Sequence, residues 1–254
     1  RMLAVASRRA PPLARYGRHD ETDLVLQGFL QFFDPLKEGI AETLQEFGDL
    51  GIAVKIITGD SRHVASHVAK AVGLTGPVMT GDEIAAARDE ALWHLAEEAD
   101  IFAEIDPQQK ERIVRALQAH GHGVGYMGDG INDAPALRAA DVGISVDGAV
   151  DVARDSADIV LLRRDLTVLR QGIVDGRSTF ANTLKYIQIT TSANFGNMIS
   201  MAAASLWLPF LPLTAAQILL NNFLSDFPSV AISTDRVDPE SVARAPRWDI
   251  AGIR

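Results

Sequence analysis

Up to about residue 170, short apolar runs alternate with stretches whose apolar positions recur at helical spacing. That alternation is the pattern of a parallel α/β sheet. Candidate strands are Leu24–Phe29, Ala53–Thr58, Gly123–Met127, Val142–Val146 and Ile159–Leu162, and candidate helices are Leu36–Leu50, Ser61–Val72, Glu83–Ala91 and Pro107–His120. The last helix carries a start signal. Asp106 is placed to cap it, Pro107 suits the first helical position, and Gln109 stands where a capping box wants Gln or Glu. No internal repeat or low-complexity segment interrupts the pattern.

Beyond residue 170 the pattern changes. From Tyr186 to Ser225 the chain has no Asp, Glu, Lys, Arg or His. A membrane helix needs about 20 mainly apolar residues, so this stretch has room for two. Pro209 and Pro212 supply a break, which predicts one span from about Ile187 to Leu208 and another from about Leu213 to Ile232. The plainer alternative is a pair of buried helices in a soluble protein. Arg163, Arg164, Arg170, Arg177 and Lys185 precede the pair, and Arg236, Arg244 and Arg247 follow it. Basic flanks at both outer ends predict a hairpin that enters from the cytoplasm and returns to it.

Composition narrows the function. A formal net charge of −9 with no basic run gives nucleic-acid binding no electrostatic footing. The absence of cysteine excludes disulfides and Cys-ligated metal centres. The opening Arg-Met-Leu-Ala-Val-Ala-Ser reads as a strand already under way, with no signal peptide before it, and is expected to be a cut or an incomplete gene.

Three polar clusters fall at the carboxyl ends of candidate strands, where open parallel sheets hold their ligands. They are Thr58-Gly59-Asp60, Lys110 in the first turn of the Asp106-capped helix, and Gly128-Asp129-Gly130-Ile131-Asn132-Asp133. A hydroxyl, a lysine, an amide and carboxylates are what phosphoryl transfer requires: donors and a cation for the equatorial oxygens, and carboxylates for Mg²⁺. Taken singly they have plainer readings. Thr58 and Asp60 suit a strand-end turn and a helix cap, Lys110 a solvated helix face, and Asp129 and Asn132 a turn and the cap of a helix from Ala134. The six-residue loop, with two glycines around one carboxylate and a second carboxylate within a turn, points to a Mg²⁺/phosphate loop. Two lookalikes are set aside. Gly123-Val-Gly-Tyr-Met-Gly128 matches the dinucleotide fingerprint, but its first glycines fall in a strand rather than after one. His63 and His67 are one helical turn apart but have no third ligand nearby in sequence.

At Gly-Asp-Gly-Ile-Asn-Asp-Ala-Pro-Ala-Leu the chain resembles P-type ATPases of the haloacid-dehalogenase-like superfamily. Val54-Lys-Ile-Ile-Thr-Gly-Asp60, Asp106-Pro-Gln-Gln-Lys110, Ala140-Asp-Val-Gly-Ile-Ser-Val146 and Asp151-Val-Ala-Arg-Asp-Ser-Ala-Asp-Ile-Val-Leu161 follow in family order. The resemblance implies a Rossmann-like phosphorylation domain followed by a two-helix transmembrane hairpin. It divides the chain into the end of a nucleotide-binding domain (1–27), the phosphorylation domain (28–170, re-entered from Gly28 to Asp34-Pro35), stalk and hairpin (171–234), and a cytoplasmic tail or loop (235–254). It further implies that Thr58 contacts the phosphoryl group, with Gly59 and Asp60 shaping the turn. Lys110 then neutralises that group's charge, Asp129 binds Mg²⁺, Asn132 contacts phosphate, and Asp133 supports the lysine and the metal shell. ATP is the implied substrate and the cell membrane the implied location, with the soluble domain in the cytoplasm.

Polar residues recur within the uncharged stretch. Asn194 and Asn197 lie on the first expected span, and Asn222, Ser225 and Asp226 lie on the second. Ionisable groups at such depth are functional by default, and hard cations take oxygen ligands of this kind. Pro228 is placed to unwind the second helix and free backbone carbonyls. By resemblance these five align with ion-site positions of calcium-type pumps, although the residue matching Asn197 is usually acidic there. Asn194-Phe-Gly-Asn-Met, Leu-Pro-Phe-Leu-Pro-Leu, Asp235-Arg-Val-Asp and Pro246-Arg-Trp-Asp249 look most like bacterial magnesium-transporting members.

The family's phosphorylated aspartate lies in an Asp-Lys-Thr-Gly-Thr motif, which this sequence does not contain. Asp34-Pro-Leu-Lys is the nearest lookalike and resembles a different element. The expectation is therefore a pump fragment, inactive alone, whose partner is the missing N-terminal portion of the same pump or a complementary chain. Two alternatives stand beside it: a truncated paralogue or split subunit without enzymatic activity, and a soluble-type phosphatase of the same superfamily.

Overall fold

Strands β1 (Met2–Ser7) and β2 (Val25–Gln31) pair antiparallel, from Met2 opposite Gln31 to Ser7 opposite Val25. The computed structural model describes residues 2–9, 16–31, 36–210, 212–243 and 245. It separates into two units, Arg1–Glu38 and Gly39–Arg254. The Leu24–Phe29 strand was expected in the parallel sheet and instead forms half of this hairpin. Its apolar side chains, Leu26, Phe29 and Leu30, are exposed, as are Met2, Leu3 and Val5 across from them. Asp34-Pro35, Arg244 and the Pro246–Asp249 motif lie outside the described residues.

The second unit runs α1 (Ile40–Asp49), β3 (Ile56–Ile57), α2 (Arg62–Ala71), β4 (Val78–Thr80), α3 (Gly81–Ala86), α4 (Asp89–Glu98), β5 (Ile101–Ala103) and α5 (Pro107–Ala119). It continues with β6 (Gly125–Met127), α6 (Ala134–Ala139), β7 (Val142–Val146), α7 (Asp151–Asp155) and β8 (Ile159–Leu161). Helices α8 (Leu166–Trp207), α9 (Ala215–Ser229) and α10 (Pro239–Ala243) complete it. The strands form two parallel three-stranded sheets in the orders β3-β5-β4 and β6-β7-β8. The expected parallel α/β fold is therefore present. Two of its short strands, β4 and β5, were not expected. One expected helix, Glu83–Ala91, is two: Ala87 and Arg88 are extended and divide α3 from α4.

Helix α5 holds the interior together. Ile113 packs with Ile84, Leu92 and Phe102, while the next residue, Val114, packs with Tyr126, Ala136 and Leu137. Ile57 of β3 touches both groups and so joins the two sheets. The capping box at its start is as expected: Gln109 N–H donates to Asp106 Oδ1 at 2.7 Å, and Asp106 N–H to Gln109 Oε1 at 3.0 Å.

Helix α8 has 42 residues, with Asp165 capping its start through Thr167 N–H. At 1.5 Å per residue it is about 60 Å long, so the stalk and the first expected span are one continuous helix. Arg177 on α8 donates to the carbonyls of Leu50 at 2.8 Å and Val242 at 2.9 Å. Asn182 and Lys185 hold Asp235, through its carbonyl at 2.9 Å and its carboxylate at 2.8 Å. These contacts bring the chain after α9 back to the stalk.

Among the described residues, no helix is long and apolar enough to cross a membrane. The reason is visible residue by residue. The second half of α8 lacks charge but is diluted by Gln188, Thr190, Thr191, Asn194, Asn197 and Ser200. Helix α9 has only 15 residues before it tightens, after Pro228, into the 3₁₀ turn Val230–Thr234. At helical rise that is about 22 Å, short of the ~30 Å hydrocarbon core.

Candidate functional site

The Gly-Asp-Gly-Ile-Asn-Asp loop leaves the carboxyl end of β6 and turns through a 3₁₀ turn, Ile131–Asp133, into α6. Asp133 is its buried centre. Its Oδ1 accepts from Lys110 Nζ at 2.7 Å and from the Tyr126 hydroxyl at 2.9 Å. Its Oδ2 accepts the backbone N–H groups of Asp129 at 3.2 Å and Gly130 at 3.0 Å. Burial alone would raise the Asp133 carboxyl above its usual range. The Lys110 hydrogen bond, the Gly130 N–H, the Tyr126 hydroxyl and the lysine charge outweigh burial and hold it below. The Tyr126 hydroxyl is pushed up, first by burial and then by the Asp133 charge and hydrogen bond.

This closeness requires glycine at 128 and crowds position 130. A Cβ at Gly128 would lie 2.5 Å from Asp133 Cβ, and one at Gly130 would lie 3.3 Å from Asp133 Oδ2. Ser145 on β7 donates to the Gly128 carbonyl at 2.9 Å and ties the start of the loop to the sheet.

Four hydrogen bonds fill the four lone-pair positions of the Asp133 carboxylate. It therefore positions Lys110 and the loop, and direct metal ligation would displace one of these donors. Asp129 differs. Its side chain is half exposed, and Oδ2 meets Arg164 Nη2 at 2.6 Å, so it already holds a cation. A hard, exposed carboxylate beside a loop of backbone groups fits Mg²⁺, which keeps several waters and takes one or two carboxylates with substrate phosphate. Asn132 is exposed and makes no hydrogen bond to Lys110 or Asp133 among the described residues.

Thr58 sits at the carboxyl end of β3. Its hydroxyl accepts the Asp60 N–H at 3.0 Å, and its carbonyl accepts the N–H of Ile105, next to the Asp106 cap of α5. Gly59 and Asp60 lie in the bend between β3 and α2, and Asp60 does not cap α2. The N-cap is Ser61, and the Arg62 N–H is taken by Glu104 Oε1 at 3.0 Å. Glu104 has a left-handed backbone (φ 59°), and its own N–H donates to the Asp60 carbonyl at 2.9 Å. It couples the Thr58 turn to the helix that carries Lys110. Nothing in the sequence around Glu104 announces this, since its partners lie 42 and 44 positions away.

Of the expected membrane residues, Asn194, Asn197 and Asn222 line one cleft of about 160 Å³ between α8 and α9, with Asn221, Met198 and Met201. Ser225 and Asp226 are not among its lining. The Ser225 hydroxyl is turned back onto the Asn221 carbonyl at 2.8 Å, and the Asp226 carbonyl accepts from Ser229. His63 and His67 lie exposed on α2, a solvated face as expected. In the dinucleotide lookalike, Gly123 lies before β6 rather than within it as expected, since the strand begins only at Gly125.

A part-buried lysine–aspartate pair thus stands at the carboxyl edge of a parallel sheet, beside a half-exposed aspartate in a glycine loop. The haloacid dehalogenase-like hydrolase family matches residues 8–141, and the chain belongs to that family. Over its whole length it is 51% identical to the magnesium-transporting ATPase, P-type 1, of Escherichia coli (strain K12), of which it covers 28%. Over 92% of its length it is 45% identical to a protein of the same description from Salmonella typhimurium (strain LT2), covering 26% of it. It is 33% identical, again over 92% of its length, to a calcium-transporting ATPase of Bacillus subtilis (strain 168), covering 27%. A solved structure of the catalytic domain of a CPx-ATPase matches with a TM-score of 0.42 and 22% identity, over 58% of this chain and 51% of that one. The chain thus spans little more than a quarter of the curated relatives it matches. Those relatives are P-type cation ATPases, the group the motif order resembles.

Proposed function

We propose that this chain is the phosphoryl-handling and ion-path portion of an ATP-driven P-type cation pump, with Mg²⁺ as the transported ion. The observation that carries the reading is the Lys110–Asp133 pair beside Asp129. It gives a cation for the phosphoryl oxygens, a carboxylate that fixes that cation, and a second, half-exposed carboxylate that would exchange its Arg164 partner for a metal. A Mg²⁺ ion held by Asp129 would neutralise charge on the transferring group. Asp133 holds Lys110, and in this reading the lysine, Thr58 and Asn132 would meet the group's oxygens. The nucleophilic aspartate is supplied by another portion of the same pump or by a complementary chain, because no Asp-Lys-Thr-Gly-Thr occurs in this sequence. The 254 residues alone are then inactive.

The α8–α9 hairpin is the membrane element in this reading. Its support is the uncharged run from Tyr186 to Ser225 together with exposed Phe195, Met198, Leu206, Trp207, Leu219, Phe223 and Phe227. Such a surface is costly in water and favourable in lipid. Packing against further helices of a whole pump would shelter the amides that dilute it. The Asn194, Asn197 and Asn222 cleft, with Ser225 and Asp226 further along α9, is the ion path, and the catalytic unit lies in the cytoplasm. The exposed β1–β2 hairpin carries, up to residue 27, the end of a nucleotide-binding domain whose remainder would cover it. The test is Mg²⁺ uptake by cells dependent on the complete reading frame that contains this chain. Asp226→Asn and Asn197→Ala should each abolish or cut uptake with the protein still in the membrane fraction. Unchanged uptake in both would contradict the ion-path assignment.

A further inference from the structure

We propose a second metal site, for a first-row transition ion of the Zn²⁺ or Ni²⁺ class, formed by Glu97, His120 and His122. It lies away from the phosphoryl site. Lys110 is in the first turn of α5, whereas His120 is the residue that caps its end, ten positions on and so about 15 Å along the axis.

The sequence builds this cluster by ending a helix. Gly121 has φ +94°, a conformation that suits glycine. Its N–H donates to the Gln118 carbonyl at 2.9 Å, and the His122 N–H reaches back to Leu117 at 3.2 Å. These two bonds are a Schellman termination, which folds the chain back and sets His122 beside His120. The rings lie 5.7 Å apart between centroids. Opposite them stands Glu97 in the last turn of α4, with its backbone held by Lys55, whose ammonium donates to the Glu97 carbonyl at 2.7 Å.

The donor atoms converge. Glu97 turns one carboxylate oxygen to each imidazole: Oε2 lies 2.5 Å from His120 Nε2, and Oε1 lies 3.4 Å from His122 Nε2. Among the described residues, this is the group of three ligand-bearing side chains whose donor atoms all lie within 4.8 Å of one another. Ligands about 2.0–2.1 Å from a tetrahedral Zn²⁺ are separated by about 3.3 Å. The His122 pair already has that spacing, and the His120 pair reaches it by opening less than about 1 Å as the ion replaces the shared proton. His94, one turn before Glu97 on α4, stacks edge-on against His120 at 5.0 Å and braces that ring. All three ligands are partly exposed, so an ion can enter from solvent with water as its fourth ligand. Imidazole donors select zinc, nickel and copper over Mg²⁺, which prefers oxygen, so the ion at this site differs from the one at Asp129.

The test uses the whole chain in detergent, freed of metal by chelator and titrated with Zn²⁺ by calorimetry and with Co²⁺ by visible absorption. One equivalent should bind, with the intense visible bands of a tetrahedral Co²⁺ site. The double substitution His120→Gln/His122→Gln should weaken binding by about tenfold or more and remove those bands, as should Glu97→Gln. The pair His63→Gln/His67→Gln on α2 should leave binding unchanged, with circular dichroism reporting that each variant is folded. No saturable binding in the parent chain would overturn the proposal. So would parent-like binding by a folded His120/His122 variant, or loss of binding in the His63/His67 variant instead.

Discussion

Gly128 faces Asp133 so closely that a β-carbon at position 128 would lie 2.5 Å from the Asp133 Cβ and 2.7 Å from its Cγ. The first glycine of the loop is thus fixed by the carboxylate five residues later. Position 128 cannot gain a side chain while Asp133 keeps its place, because Asp133 is also anchored by Lys110, Tyr126 and two backbone N–H groups.

Gly128→Ala must therefore shift the loop or the buried carboxylate. We expect a loss of about 1–3 kcal/mol, the usual cost of overpacking. Gly148→Ala, at a glycine with open space around its would-be Cβ, should stay within about 0.5 kcal/mol of the parent. Urea denaturation of the two variants side by side checks this. Equal stability would mean that the loop can yield.

The Asp133 network has a pH signature. Its carboxyl is held below the ordinary value in the folded chain, so the folded state binds a proton less readily than the unfolded state. The contribution is fully present above the ordinary carboxyl value of 3.8 and is lost as pH falls through the lower folded value. The parent should exceed Asp133→Asn in stability at pH 7, and the gap should narrow as pH drops below about 4. Unfolding midpoints between pH 3 and 7 measure it. A gap that is constant or widens in acid would show that the network does not favour the ionised form.

Arg177 links three parts of the second unit, since its guanidinium on α8 holds carbonyls at the end of α1 and in α10. Arg177→Ala should free the segment after Thr234 from the stalk at a cost of about 1–3 kcal/mol, with the carbonyls of Leu50, Val242 and Ala243 losing a charged donor. Hydrogen exchange should rise in α10 and at the end of α1 while remaining unchanged in α5. Uniform exchange across the chain would contradict a local tie.

What was legible in the sequence was chemistry confined to neighbours. The Asp106–Gln109 capping box, the strand end at Met127 before the glycine loop and the Val142–Val146 strand are set within a few residues and were read correctly. Features that depend on distant partners were not. Ile101–Ala103 is only three residues long, yet it is the middle strand of its sheet because β3 and β4 flank it. Leu24–Phe29 has the pattern of a strand, and pattern alone does not say that Met2–Ser7 pairs with it antiparallel. The saturation of Asp133, the left-handed Glu104 link and the Glu97–His120–His122 cluster likewise join residues far apart in the chain. The absence of charge between Tyr186 and Ser225 suggested two full spans, but absence of charge is a weaker property than the length and apolarity a lone helix needs.

The most direct test of the central claim is phosphorylation from labelled ATP in membranes bearing the complete reading frame that contains this chain. The account predicts an acid-stable, hydroxylamine-sensitive phosphoprotein longer than 254 residues. Its formation or turnover should be strongly impaired by Asp129→Ala and by Lys110→Ala, while the 254-residue chain alone should take no label. Labelling of the isolated chain, or labelling and turnover indifferent to both substitutions, would contradict the assignment of this site to phosphoryl transfer.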